Sequence, residues 1–262
     1  MKKIRAFLLS CILLANSALA NTWGTDWTDL WWNANESGWG VTATHQGEVV
    51  FLTFFVYDVD NRPIWYTGQA SYTSTNAQGA FIFAGPLYQT SGPWLGTSFN
   101  PNAVGIRQVG TVTFTVFITS GTLTYSVDGV QVSKSITRQT FRTNLVNAQL
   151  VGAFRQVQSG CRAPYGNGTY IATRNISLVI AANAFQMTAS DLSTSSSCAY
   201  SGSYTQAGRM GSSVGTYTCT GGVSGNYSAY EIEATWYSIT GRFTANDNYC
   251  TSISGRLAAL GK

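Results

Sequence analysis

Two glutamates, Glu231 and Glu233, stand two positions apart in "SAYEIEATWY". Glycoside hydrolysis uses such a pair of carboxylates, one as acid and the other as base or nucleophile. Positions i and i+2 of a strand also share one face. The expected arrangement is therefore plain alternation, with both acids toward solvent and Ile232 and Ala234 inward. Glu36 is a different case, because it lies among Trp31, Trp32 and Trp39 in "DLWWNANESGWG". An acid buried among rings needs a partner, and Arg62, Arg107 or Arg138 could offer a two-pronged one. A structural Glu–Arg pair is expected, with a ligand-orienting acid as the sharper alternative. His45 is the sole histidine. It stands beside a Gln46-Gly47 turn and is expected on the surface. A Ser-His-Asp triad would need it, and catalysis through this histidine is not expected. Asp58, Asp60 and Asn61 begin like a calcium loop, yet the Gly at position six and the closing Glu are missing. Asx turn chemistry accounts for them. The sequence predicts no catalytic residue, no metal site and no cofactor.

The cysteines carry more information. Cys161, Cys198, Cys219 and Cys250 lie in the second half of the chain, with spacings that fit no zinc pattern. If Gly208-Arg209 is a two-residue turn, Ala207 faces Met210, Tyr204 faces Ser213, Gly202 faces Gly215, Tyr200 faces Tyr217 and Cys198 faces Cys219. Directly opposed strand residues stand at a spacing that suits a disulfide. Of the three connectivities open to four cysteines, this register selects Cys198–Cys219 and leaves Cys161–Cys250. Such bonds call for an oxidising compartment.

The beginning of the chain agrees. "MKKIRAFLLSCILLANSALA" has a basic start, an apolar run too short to span a bilayer and an Ala-Leu-Ala cleavage site. Residues 1–20 are expected to be a signal peptide, so the protein is placed in the periplasm, on the cell surface or outside. "LLSC" loosely resembles a lipoprotein box at Cys11, but the apolar run continues past it. No later run is long and apolar enough for a transmembrane helix. Three of the 15 Lys and Arg residues fall in the leader, so 12 cations face 11 acids in the mature chain. A net charge of +1 leaves no basic footprint for nucleic acid.

The remaining residues must position these groups. Seven of the eight tryptophans precede residue 95, whereas the mature cysteines follow residue 160. This divides the chain into a Trp-rich unit, 21–143, and a cystine-rich unit, 144–262. Both read as strands with short turns, Asp128-Gly129 being the clearest hairpin. The expected fold is all-β: an antiparallel meander of seven or eight strands closed as a barrel, or a sandwich, followed by a second, disulfide-bonded antiparallel β domain. Trp23, Trp27 and Trp31 suggest a short plug at the barrel mouth. The one long connection starts at Tyr88 and carries Trp94. Long ordered loops often carry function, which makes Tyr88 and Trp94 candidate ligand contacts, together with Trp39 and Glu36 of the Trp-rich run.

The runs "LWWNANESGWG", "LTFFVYDVDNRPIWYTG", "GPLYQTSGPW", "VGTVTFTV" and "ITRQTF" resemble a module of secreted proteins of Gram-negative bacteria, mainly proteobacteria. Its core reads W-W-N-P-x-E-S-G-W-G, followed by an aromatic strand and a D-x-D-G-R-P-x-W turn. Ala34 stands where Pro is usual and Asn61 where Gly is usual, over a match of about residues 30–142. The resemblance implies export and a recurring β-module, and it carries no activity. A looser analogy to avidin-like and lipocalin-like barrels makes Trp31 or Trp32 the residue that closes the barrel floor. The expected function is a secreted or surface non-enzymatic binding module for carbohydrate or a small apolar ligand, recognised through aromatic residues. Protein interaction or adhesion, and a carboxylate-dependent hydrolase, are the alternatives.

Overall fold

A computed structural model describes residues 25–261. The proposed leader and Trp23 lie outside them. The described residues form two closed antiparallel barrels of eight strands each. The first contains β1 (Asp29–Trp32), β2 (Gly40–Gln46), β3 (Val49–Tyr57), β4 (Pro63–Thr75), β5 (Phe81–Ser91), β6 (Gly105–Val116), β7 (Ser120–Val127) and β8 (Val130–Arg138). The second contains β9 (Val146–Cys161), β10 (Gly168–Ala181), β11 (Ala184–Asp191), β12 (Ser197–Ala207), β13 (Met210–Cys219), β14 (Ser224–Thr235), β15 (Ser238–Asp247) and β16 (Cys250–Gly261). Closure removes the free sheet edges that a sandwich would leave, and it extends to the second unit as well as the first.

The turns follow their chemistry. Asp128 and Gly129 both have positive φ, +48° and +87°, as a type I′ hairpin requires. Val127 pairs with Val130 across them. The turn between β6 and β7 lies before Ser120, because Gly121 already pairs with Val116. The register around Gly208-Arg209 is as expected throughout, from Ala207 opposite Met210 to Cys198 opposite Cys219. Cys198–Cys219 and Cys161–Cys250 are both disulfide-bonded. The second bond joins opposed residues of β9 and β16, the two strands that close the barrel.

Large side chains fill the first barrel. Trp27, Trp31, Phe54, Phe83 and Phe114 are almost fully buried. The Trp31 ring meets Phe114 edge to face at 5.3 Å, and Trp27 meets Phe83 at 5.2 Å. Trp27, just before β1, and Trp31 both belong to this core, so the plug expected of them is part of the barrel packing.

The closing seam of this barrel is short, since β1 pairs with β8 only through Trp31–Arg138 and Trp32–Thr137. Arg138 reinforces it. Its guanidinium is fully buried and lies 3.0 Å from the buried Asp29 carboxylate. It also donates to the Ile118, Thr28 and Asp26 carbonyls at 2.6, 3.3 and 2.7 Å, and it stacks over Trp31 at 4.8 Å. Burial lowers the guanidinium pKa, and the bond to Asp29 opposes that shift.

The second barrel docks on this pair. Asp29 Oδ2 accepts the Arg209 backbone N–H at 3.0 Å. Gly208, at φ +59°, lies so close that a Cβ there would collide with the Asp29 carboxylate and Arg138. Gly208 N–H donates to Thr140 Oγ1 at 2.8 Å, and Asn144 N–H donates to Gln206 Oε1 at 2.7 Å.

Removing one partner of a buried ion pair strands the other charge, at a cost of about 3–5 kcal/mol. Asp29→Ala is expected to lower unfolding stability by that amount in urea titrations. Asp60→Ala, which breaks an exposed pair with Arg62, should leave the transition in place. Equal, small effects of the two would show that the seam does not depend on Arg138.

Candidate ligand-binding site

The second barrel is built from smaller interior residues. Along β15 the inward positions are Ile239, Gly241, Phe243, Ala245 and Asp247, and Ala172, Ala189 and Ala229 face inward from β10, β11 and β14. Eight strands give an interior just wide enough to be filled by side chains or to hold one small ligand. Here the small residues leave a cavity of about 230 Å³.

Ile232, Ile239, Phe185 and Leu257 line its apolar parts, together with Met187. Tyr200 and Tyr217 stack at 5.3 Å, and Tyr227 meets Tyr200 edge to face at 5.6 Å. Both disulfides border the cavity, and the exposed Tyr165 and Tyr170 stand at its rim. Arg174, Arg242, Asp247, Gln156 and Gln158 supply the polar lining. Tyr217 Oη donates to Asp247 Oδ2 at 2.9 Å, and the Tyr227 and Ser213 hydroxyls are hydrogen-bonded at 2.9 Å. Burial pushes the Tyr200 hydroxyl up to about 12. It raises Tyr217 further, helped by the bond to Asp247. These phenols therefore stay neutral over the ordinary pH range and present flat, uncharged rings.

The predicted contacts lie elsewhere. Trp39 Nε1 donates to Glu36 Oε2 at 3.2 Å, and Lys134 Nζ reaches the same oxygen at 2.7 Å. The partner of Glu36 is thus a lysine. The three arginines expected for that role are occupied elsewhere: Arg62 by Asp58 and Asp60, Arg107 by Asp128, and Arg138 by Asp29. The hydrogen bond from Lys134 holds the Glu36 carboxyl below the usual range. Tyr88 is half-buried on β5, opposite Thr67 and Gln108. Trp94 is 77% exposed in the following loop. None of these four lines the cavity. Asp58 accepts from the Asp60 and Arg62 backbone N–H groups, the Asx-turn arrangement expected of that stretch.

Two expectations are corrected. His45 is not a surface residue: its side chain is 7% exposed, packed against Trp27 and Phe83. Its Nδ1 lies 3.7 Å from Asp26. Nor do Glu231 and Glu233 simply face solvent. A register shift between Tyr230 and Glu233, with Glu231 at φ +53°, breaks the alternation. Glu231 is buried, accepts from the Thr25 hydroxyl and pairs with Arg242 at 3.1 Å. Glu233 lies 3.1 Å from Arg209, which also grips Asp26. Burial raises the Glu233 carboxyl pKa. Burial also pushes Asp26 up, but His45, Thr28 and Arg209 outweigh it and hold that carboxyl well below its ordinary range. These acids join the barrels and do not border the cavity. Among the described residues no cluster of His, Cys, Asp and Glu could hold a metal, and no helix is long and apolar enough to cross a membrane.

Sequence reasoning placed Tyr200 opposite Tyr217 but did not identify them as cavity residues. The signal lay in the alternation, which sends Cys198, Tyr200 and Tyr204 to one face together with the small residues that leave space.

The folded chain keeps the Tyr200 and Tyr217 protons above pH 10, where the unfolded chain releases them. Above pH 10 the unfolded state binds fewer protons, so stability falls as pH rises. Unfolding midpoints are expected to be insensitive to these groups below pH 10 and to drop above it. Tyr200→Phe should make that alkaline decline shallower.

No known protein family, curated protein or solved structure matches this chain.

Proposed function

We propose that this chain is an exported, non-enzymatic binding protein whose second barrel holds a small, flat, mostly apolar ligand. The observation that carries the reading is the tyrosine-lined cavity of about 230 Å³. It lies below the roughly 300–1,000 Å³ of sites for drug-sized ligands, so the ligand is a small one. Apolar walls with a few fixed polar groups are the usual make-up of such sites. The carboxylates that could have served hydrolysis are tied to arginines and hydroxyls between the barrels. The two disulfides fit an oxidising compartment, in keeping with the leader-like N-terminus.

The test is calorimetric titration of the oxidised chain with a panel of small aromatics, including 2-naphthamide and 2-naphthoate. Saturable binding at one site per chain is expected. Ala245→Trp, which fills the cavity, should abolish it, while Trp39→Ala and Trp94→Ala leave it intact. Failure of the whole panel to bind would overturn the reading.

A second observation favours a carbohydrate contact elsewhere. Phe51, Phe55 and Tyr57 stand on the outer face of β3, and Trp65 lies opposite Phe55 on β4. All four are about half exposed, at 45–58%. Such a flat row of rings suits the faces of sugars. Retention on insoluble polysaccharides should then weaken in Trp65→Ala and persist in Ala245→Trp. Equal retention of Trp65→Ala and the unaltered chain would exclude this row as the site.

A further inference from the structure

We infer that the ligand of the second barrel carries a carboxylate, received by Arg174, on an aromatic body that lies along Tyr200 and Tyr217. This rests on the cavity reading above and adds the chemical class.

Arg174 lies on β10 two residues before Ile176, and strand alternation turns both inward. Its side chain is 21% exposed and lines the cavity. The buried Nη1 makes no hydrogen bond among the described residues. Its ion-pair partner Asp191 stands opposite it on β11, with Oδ2 at 3.5 Å. That carboxylate is engaged by its own loop: Oδ1 accepts the Ser193 N–H and hydroxyl at 2.9 and 2.7 Å and the Thr194 N–H at 3.2 Å. The Ser193 bonds are the main reason the Asp191 carboxyl sits below its usual range. A buried donor without a partner is costly, and a guanidinium fork is matched by a planar two-oxygen acceptor.

Arg242 Nε, like Arg174 Nη1, makes no hydrogen bond among the described residues, but its ion pair is the closer of the two. Arg242 pairs through Nε with Glu231 at 3.1 Å. Asp247 is the one acid in the lining, and three donors already engage it. Tyr217 donates to Oδ2, and the Tyr249 and Cys250 N–H groups donate to Oδ1 at 2.8 and 2.7 Å. The lining therefore holds two cations and one acid that accepts three hydrogen bonds, and neither Asp191 nor Glu231 belongs to it. Beside Arg174, the stacked Tyr200 and Tyr217 offer the flat apolar surface for the rest of the ligand. The site thus selects an anionic head on an aromatic body.

The experiment compares 2-naphthoate with its neutral isostere 2-naphthamide on the oxidised full chain at neutral pH, by fluorescence titration. Naphthoate is expected to bind about tenfold more tightly or better. In Arg174→Gln that preference should vanish, with naphthamide affinity unchanged. Arg174→Lys should keep part of it, because the charge remains while the fork is lost. Equal affinities in the unaltered chain would overturn the carboxylate assignment and leave the cavity reading standing. A preference that survives Arg174→Gln would overturn the role of Arg174. If neither probe binds, the carboxylate assignment and the cavity reading fall together. The comparison of the two probes on the unaltered chain is decisive even if the variants fail to fold.

Discussion

The buried Arg138–Asp29 pair is the contact on which the rest of the structure depends. Moving two charges out of water is expensive, and such pairs persist only when the remaining donors are satisfied. Arg138 meets that condition with three backbone carbonyls, each from a segment that ends at the same barrel mouth. Asp29 meets it by accepting the Arg209 N–H of the second barrel. One ion pair therefore holds the chain entry before β1, the short β1–β8 seam and the turn between β12 and β13. A glycine at 208 is needed because the turn approaches this pair more closely than any side chain allows.

The two barrels share a strand count and an up-and-down order, yet they are filled differently. Rings of Trp, Phe and Tyr interdigitate through the first, where Trp27, Trp31, Phe54, Phe83 and Phe114 meet near the axis. In the second, the end facing the junction is packed by Leu150, Leu178 and Ile180, and the end with the disulfides is left hollow. The disulfides stand where packing is lightest. They link β9 to β16 and β12 to β13 around the opening, so covalent bonds replace the core contacts that a cavity removes. A rigid rim around a preformed cavity reduces the ordering cost of binding.

Charge is scarce in this chain, and its placement is economical. Asp26, Glu231 and Glu233 converge with Arg209 and Arg242 where the barrels meet, and the turns use Asp58, Asp128 and Asp191 to cap themselves or hold an arginine. Arg174 is placed differently: it lines the cavity, and its ion-pair partner Asp191 stands 3.5 Å away outside the lining. Charged and neutral polar groups thus stand together in the hollow barrel, Arg174 beside the stacked Tyr200 and Tyr217.

The local features of the fold were legible because they depend on neighbours in sequence. Alternation marked the strands, Asp128-Gly129 marked a hairpin, and the Gly208-Arg209 turn fixed a register that paired both the tyrosines and the cysteines. Alternation also failed at one legible place: the irregularity between Tyr230 and Glu233 turned Glu231 into the junction, and no two-residue spacing announces a bulge. His45 went inward because its interior neighbours, Trp27 and Phe83, come from distant segments. Glu36 found Lys134 for the same reason, since which cation stands beside β1 is set by the closing of β8 upon it. The sequence by itself determined an all-β chain, its turns and its disulfides, because these follow from short-range stereochemistry and periodicity. Only the tertiary structure decided which barrel is filled and which is hollow, because the free volume at an axis is the sum of inward side chains from eight strands, and no single stretch contains that sum.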